Sequence, residues 1–152
     1  MEIKVNQATI KDLPILAPLF DQYRQFYDRV SDVEAGFKFL QGMIERKDSV
    51  IYLATTIHNE AVIGLGFVQL YPYYSSVQMK RGWYLNDLFV NQAIRGKGVG
   101  KLLLKAVQQL GKETNAAFLF LETQTLNSNA QKLYKTMGFS QVEDQVYFYY
   151  NY

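Results

Sequence analysis

The sequence predicts an α/β (α+β) fold built on a mixed sheet, and three observations lead there. Runs of strand-like composition and runs of helical apolar spacing alternate in the order βααβββαβαββ, which makes about seven strands and about four helices. The stretch Ala117-Phe-Leu-Phe-Leu121 is short and continuously apolar, as in a strand covered on both faces. No repeat, linker or low-complexity segment divides the 152 residues, so one domain spanning residues 1–152 is expected.

The elements follow in order. Ile3-Lys4-Val5-Asn6 alternates apolar and polar residues, as a half-buried strand does. Thr9, with Asp12 three residues on and Pro14 close behind, marks a helix start, and Leu13, Leu16, Leu19, Phe20, Tyr23 and Tyr27 continue it at helical spacing. A second helical pattern covers Val33 to Ile44. Two β-rich runs, Val50–Ile57 and Val62–Tyr71, flank His58-Asn59-Glu60 and predict a hairpin. A further strand is expected at Trp83–Val90. Beyond it, Val99, Leu102, Leu103, Ala106, Val107 and Leu110 form one apolar helix face, with Lys101, Lys105, Gln108 and Lys112 opposite. Asn127 or Ser128 caps a short helix that ends near Met137-Gly138. The tail Val142–Tyr152 is aromatic and β-compatible throughout, and its edge is a candidate for pairing in a homodimer.

Composition removes several function classes. The chain is 49% hydrophobic and 20% charged, as in a folded globular protein. A net charge of +2, with lysine and arginine spread evenly, gives no basic arm for nucleic acid. With no cysteine and a single histidine, His58, thiolate catalysis, disulfides and cysteine- or histidine-rich metal sites are excluded, and no metal is expected. No apolar run approaches the length of a membrane span, and no signal-peptide pattern opens the chain. A cytoplasmic location with no membrane partner is the expectation.

The chemistry concentrates in Arg95-Gly96-Lys97-Gly98-Val99-Gly100-Lys101, between a predicted strand and a predicted helix. A helix start leaves backbone N–H groups unpaired at the positive end of the macrodipole, and glycines let an anion come close. Gly100-Lys101 does not complete a P-loop, because Arg95 stands where the first glycine belongs and Leu102 where the serine or threonine belongs. A dinucleotide G-x-G-x-x-G fails from Gly96 and from Gly98 alike. The glycines alone therefore leave two readings: an anion cradle, or a flexible turn with a helix cap.

Two motifs carry a resemblance. Arg95-x-x-Gly98-x-Gly100 is similar to the R/Q-x-x-G-x-G/A loop of the GNAT superfamily of acyl-CoA-dependent N-acyltransferases. Asn127-x-x-Ala130-x-x-Leu133-Tyr134-x-x-x-Gly138-Phe139 resembles that family's second segment. The resemblance spans nearly the whole chain and implies a GNAT-type mixed sheet. It implies acetyl-CoA as acyl donor, with the pyrophosphate of coenzyme A on Arg95, Gly96, Lys97, Gly98, Val99, Gly100 and Lys101. The pantetheine arm would lie along Leu88, Phe89 and Val90, with Asn127, Ala130 and Tyr134 completing the cofactor site. Backbone amides at Phe89 or Val90 would polarise the thioester carbonyl.

Acyl transfer to an amine needs a deprotonated amine, a stabilised oxyanion and a proton for the departing thiolate. By the resemblance Tyr134 is the proton donor, and a phenol, with an ordinary pKa of about 10, keeps its proton at neutral pH. The chain most resembles the diamine and spermidine acetyltransferase branch, whose strand carries a Glu-Asp pair; here the pair is Asn86-Asp87. Asn86 cannot act as a base. Asp87 can accept a proton directly or through water, or attract a cationic amine, and Glu122 is a second candidate. The two N-terminal helices offer Asp21, Tyr23, Tyr27, Asp28, Asp32 and Glu34, and the hairpin region Tyr71, Tyr73, Tyr74 and Trp83. Carboxylates among aromatic rings suit a small cationic amine such as a polyamine or a lysine-like amino acid. The alternatives are an acyl-CoA-sensing module with little catalysis, a peptide or protein N-acetyltransferase, and a nucleotide binder that shares only the anion loop.

Overall fold

Thr9 and Asp12 cap each other: the Thr9 N–H donates to Asp12 Oδ2 at 2.7 Å, and Lys11 N–H donates to Thr9 Oγ1 at 3.3 Å. That box opens a short 3₁₀ turn leading into helix α1 (Leu13–Phe26), with Pro14 in its first turn, where no N–H is needed. The computed structural model describes residues 1–152, which divide by their contacts into two compact units, 1–122 and 123–152.

In the first unit, strand β1 (Lys4–Gln7) precedes α1, and helix α2 (Val33–Glu45) follows it. Strands β2 (Val50–His58), β3 (Ala61–Ser75) and β4 (Lys80–Val90) come next, then helix α3 (Val99–Glu113) and strand β5 (Leu119–Leu121). The sheet order is β1-β2-β3-β4-β5, antiparallel except for the parallel pair β4–β5. The β2–β3 hairpin turns on Asn59 and Glu60, with φ of 49° and 64°, and His58 pairs with Ala61.

One sheet face packs against α1 and α2. Leu13, Leu16, Leu40, Ile51 and Phe67, each at most 1% exposed, form its centre with Leu53 and Phe89. Each such side chain contributes about 1.5–3 kcal/mol through the water it leaves. The opposite face carries Trp83 and Leu85, and the Trp83 indole N–H donates to Thr114 Oγ1, just beyond α3, at 2.9 Å.

A bulge decides what β4 presents. Gln69 pairs with Asp87 but Leu70 with Leu85, so Asn86 is an extra residue. Beyond it, Asp87 and Phe89 face the side of α1, whereas Leu85 faces away.

The second unit holds helix α4 (Ser128–Thr136). Asn127 caps it by accepting from Ala130 N–H at 3.2 Å. Its C-terminus is a Schellman turn: Gly138 at φ 89° donates to Lys135 O at 3.1 Å, and Phe139 N–H to Tyr134 O at 3.0 Å.

Three expectations need correction. The sheet has five strands, not about seven, because the tail from Ser140 to Tyr152 forms none. Tyrosine at successive positions supplies strand propensity but no alternation to choose a buried face. On α3 the buried stripe is Val99, Leu103, Leu104, Val107 and Leu110, with Leu102 and Ala106 only half-buried. Helix periodicity allowed either neighbour, and packing chose Leu104. Finally, β5 is three residues long and half-buried, so it is an edge strand and not a doubly covered one.

Candidate active site

The strand before the glycine loop is only partly paired. β5 matches β4 at Trp83, Tyr84 and Leu85, and then stops. From Asn86 onward, the β4 edge turned away from β3 meets no strand. Glu122, exposed, follows the last paired residue of β5 as Asn86 follows its partner on β4. An extended ligand can add to such an edge as another strand would.

The loop beyond that edge is shaped for an anion. Gly96 and Gly98 sit at φ 79° and 84°, and a Cβ on either would meet nothing within 4 Å, so the loop is open to a ligand. Gly98 is the N-cap of α3, in left-handed geometry and without a capping side chain. The N–H groups of Val99, Gly100 and Lys101 precede the first intrahelical bond, from Leu102 N–H to Gly98 O at 3.1 Å. Lys97 and Lys101 are exposed beside them. Arg95 is also tied back to the fold. Its Nε donates to Val90 O at 3.1 Å, and its guanidinium lies 5.8 Å from the Phe26 ring and 5.9 Å from the Phe89 ring. Arg95 therefore braces the loop between α1 and β4. Leu88 and Val90 are half-buried and Phe89 is buried.

Asp87 is the buried carboxylate of this region, 4% exposed. Its Oδ2 accepts from Gln69 Nε2 at 2.7 Å and its Oδ1 from Asn86 Nδ2 at 2.9 Å. The Tyr23 phenol of α1 faces it as well. Burial, and then the charge and hydrogen bond of Asp87, push the Tyr23 phenol far above its ordinary pKa. Burial, followed by Asp87 and Tyr84, pushes Tyr71 up to about 12. Tyr27 packs edge-on against Tyr23 at 5.2 Å, so it joins this cluster. None of the ion pairs involves Asp87, so its carboxyl group is held by neutral donors alone.

The other acidic candidates have structural work or stand in solvent. Asp21, 3% exposed, accepts from Ser31 Oγ and Asp32 N–H at 2.7 Å each and from Gln25 Nε2 at 2.8 Å, which fastens the turn between α1 and α2. Asp32 caps α2 through Ala35 N–H, and Glu34 pairs with Lys38 on the helix surface. Asp28 is exposed at φ 59°, just past α1.

In the second unit, Asn127 spends its side-chain oxygen on the helix cap, and Ala130, which donates to it, is half-buried. Tyr134 is half-buried, with the Phe139 ring 5.9 Å away. Sequence reading passed over Gln69 and Ser49. The signal available was a lone amide in the apolar run Gly66-Phe-Val-Gln-Leu-Tyr71, where the pattern asks for a hydrocarbon.

Comparison with known proteins agrees with this architecture. The chain is 40% identical over 139 residues to an uncharacterized N-acetyltransferase, YhfO, of Bacillus subtilis, covering 91% of each chain. It is 28% identical to a probable acetyltransferase of Haemophilus influenzae, over 90% of each. A crystal structure of a probable acetyltransferase superposes with a TM-score of 0.89 at 39% identity, covering 98% of this chain and 97% of that one. The model of the acetyltransferase (GNAT) family matches residues 16–139, so the chain belongs to that family.

Proposed function

We propose that this acetyltransferase, acting as one catalytic domain over residues 1–152, acetylates a small cationic amine. Acetyl-CoA supplies the activated acetyl thioester. The uncapped start of α3, open around Gly96 and Gly98, fits its pyrophosphate, and the unpaired β4 edge at Leu88, Phe89 and Val90 fits its amide-bearing arm.

The observation that carries the choice of acceptor is Asp87, a buried carboxylate lacking a cationic partner and faced by Tyr23 and Tyr71. A buried charge of one sign is stabilised by a ligand of the other, and phenol rings favour an ammonium. Asp87 attracts the amine as ammonium and accepts one proton from it, directly or through a water. The freed nitrogen lone pair would then form the C–N bond as the C–S bond breaks. By family resemblance, Tyr134 would give its phenol proton to the departing sulfur, and the second proton shed by the acylated nitrogen would restore the phenol. Asn86, bonded to Asp87 at 2.9 Å, takes an orienting part and not that of a base.

Partial relatives support a basic acceptor. Part of the chain is 34% identical over 95 residues to an L-ornithine N5-acetyltransferase of Arabidopsis thaliana, 62% of this chain and 41% of that one. Over 77 residues the chain is 32% identical to a bovine thialysine N-epsilon-acetyltransferase, 51% of this chain and 44% of that one. The match to a Bacillus subtilis spermine/spermidine acetyltransferase, 29% over 79 residues, is weaker support for the polyamine branch. The aromatic tail, with Val146–Tyr150 exposed throughout, keeps a second copy of the chain as the proposed partner.

A panel of ornithine, thialysine, spermidine, neutral amines and peptide N-termini, assayed with acetyl-CoA by mass spectrometry, tests the reading. Acetylation of the cationic small amines is expected. Reaction confined to peptides or neutral acceptors sinks it, and tight acetyl-CoA binding without turnover on any acceptor favours a sensing module.

A further inference from the structure

Gln69 is fully buried, at 0% exposure, in the middle strand of the sheet. A buried primary amide is costly unless its polar atoms are bonded, and a leucine there would fill the same space without that demand. Both ends of this amide are engaged. Ser49 Oγ donates to Gln69 Oε1 at 2.8 Å, and Gln69 Nε2 donates to Asp87 Oδ2 at 2.7 Å. The chain Ser49–Gln69–Asp87 thus crosses from the start of β2 through β3 to β4. Turning the amide over would set Oε1 against the carboxylate, so Asp87 selects the sense of the amide, and the Ser49 hydroxyl, donating to Oε1, holds its far end.

Counted at Asp87, the geometry is specific. A carboxylate has about four lone-pair positions; Gln69 and Asn86 occupy one on each oxygen, and the Tyr23 phenol faces the group. These three side chains come from β3, β4 and α1, and none carries a charge. The titratable groups facing Asp87 are Tyr23 from α1 and Tyr71 from β3, which Tyr84 of β4 adjoins.

We propose that Gln69, locked by Ser49, is a positioning residue for acyl transfer: it fixes the Asp87 carboxylate so that a remaining lone pair meets the incoming ammonium. The inference rests on Asp87 being the acceptor-facing group. Gln69 sets the direction of the carboxylate, while Asp87 makes the contact. Threonine at position 49 would keep the hydroxyl that donates to Gln69.

Steady-state kinetics with ornithine and spermidine as acceptors test the proposal, together with a crystal structure of the Gln69→Leu variant. Losing one hydrogen bond to a charged group predicts that Gln69→Leu lowers kcat/KM for the acceptor by about tenfold to a hundredfold, with the KM for acetyl-CoA unchanged. In an Asp87→Asn background the same change should add almost nothing. Ser49→Ala should lower the acceptor kcat/KM less, and Ser49→Thr should restore it. The Gln69→Leu structure should show the Asp87 carboxylate turned from its present direction. An unmoved carboxylate overturns the proposal whatever the acceptor proves to be, and so does an undiminished effect of Gln69→Leu in the Asp87→Asn background. If Asp87→Asn itself leaves acceptor kinetics intact, the parent reading of Asp87 fails instead. Should Gln69→Leu not fold, the Ser49→Ala and Ser49→Thr pair decides: equal kinetics in both overturns the lock.

Discussion

Tyr134 and Phe139 are fastened to each other twice. The Phe139 N–H donates to the Tyr134 carbonyl at 3.0 Å, and the two rings meet edge to face at 5.9 Å. The Gly-Phe pair that closes the second motif is thus the C-terminal lock of α4, and the tyrosine backbone is one half of it. Phenol chemistry and helix anchoring are therefore separable by mutation. Tyr134→Phe keeps the ring and the carbonyl, so the melting temperature should hold while kcat falls about a hundredfold if the phenol is the proton donor. Phe139→Ala should do the reverse, destabilising by about 1 kcal/mol through the lost ring contact. Circular-dichroism melts beside turnover numbers check both, and an unchanged kcat in Tyr134→Phe rejects the acid role.

Gly98 makes the loop prediction sharp. A Cβ there meets no neighbour, so Gly98→Ala introduces backbone strain alone, at φ 84°. The expected loss is about 1–2 kcal/mol, shared between stability and coenzyme A affinity. Calorimetric titration with coenzyme A and a urea melt measure the two parts. Gly111, in the middle of α3, gives the contrast: its added Cβ would meet Leu119 at 3.5 Å, an ordinary contact, so Gly111→Ala should leave coenzyme A binding alone.

Asp21 gives a prediction on the acid side. Burial alone would raise its pKa; the bonds from Ser31, Asp32 N–H and Gln25, with the Arg24 charge, outweigh it and hold the group below 3.8. A carboxylate lowered on folding stabilises the fold above its ordinary pKa, and that stability drains away as pH falls through the lowered value. Asp21→Asn should accordingly be less stable than the parent at pH 7 and lose less on acidification. Urea midpoints at pH 7 and near pH 3 read this directly; parallel pH curves for the two proteins would contradict it.

Tyr71 makes the opposite prediction at high pH. A phenol raised to about 12 contributes stability that is complete below the ordinary value of 10.0 and is lost as pH climbs through the raised one. Unfolding midpoints should drop between pH 10 and 12, and the drop should be shallower in Tyr71→Phe. Tyrosinate absorbance should lose a component titrating near 12 in the same variant, while the still more alkaline Tyr23 stays. Neither Tyr71 nor Tyr23 should shape an activity profile below pH 10.

What the sequence could and could not disclose follows from where the information lies. Thr9 with Asp12, Asn59-Glu60 and Asn127 with Gly138 are local signals, because caps and tight turns are settled within a few residues. The glycine loop was legible for the same reason. Arg95 was read as charge for an anion, yet its neighbours Phe26 and Phe89 come from α1 and β4, and only the fold brings them together. Gln69 reads as one polar residue in a hydrophobic strand until β4 is laid beside it. The tail was misread because tyrosine-rich sequence states a propensity and leaves the choice of partner to the rest of the protein.

The extra residue at Asn86 also bears on how this family can change by insertion and deletion. Removing residue 86 would leave every signature from Asp87 to Phe139 intact and at its present spacing. It would nonetheless restore the regular alternation of β4, so that either the hydrogen-bonded partners of Asp87 or the packing of Trp83 and Leu85 would have to change sides. In the first case the chain would keep the acetyltransferase signatures while its carboxylate turned to the opposite face of the sheet. On the proposed role of Asp87, a single-codon deletion that a motif search does not register would then alter acceptor preference.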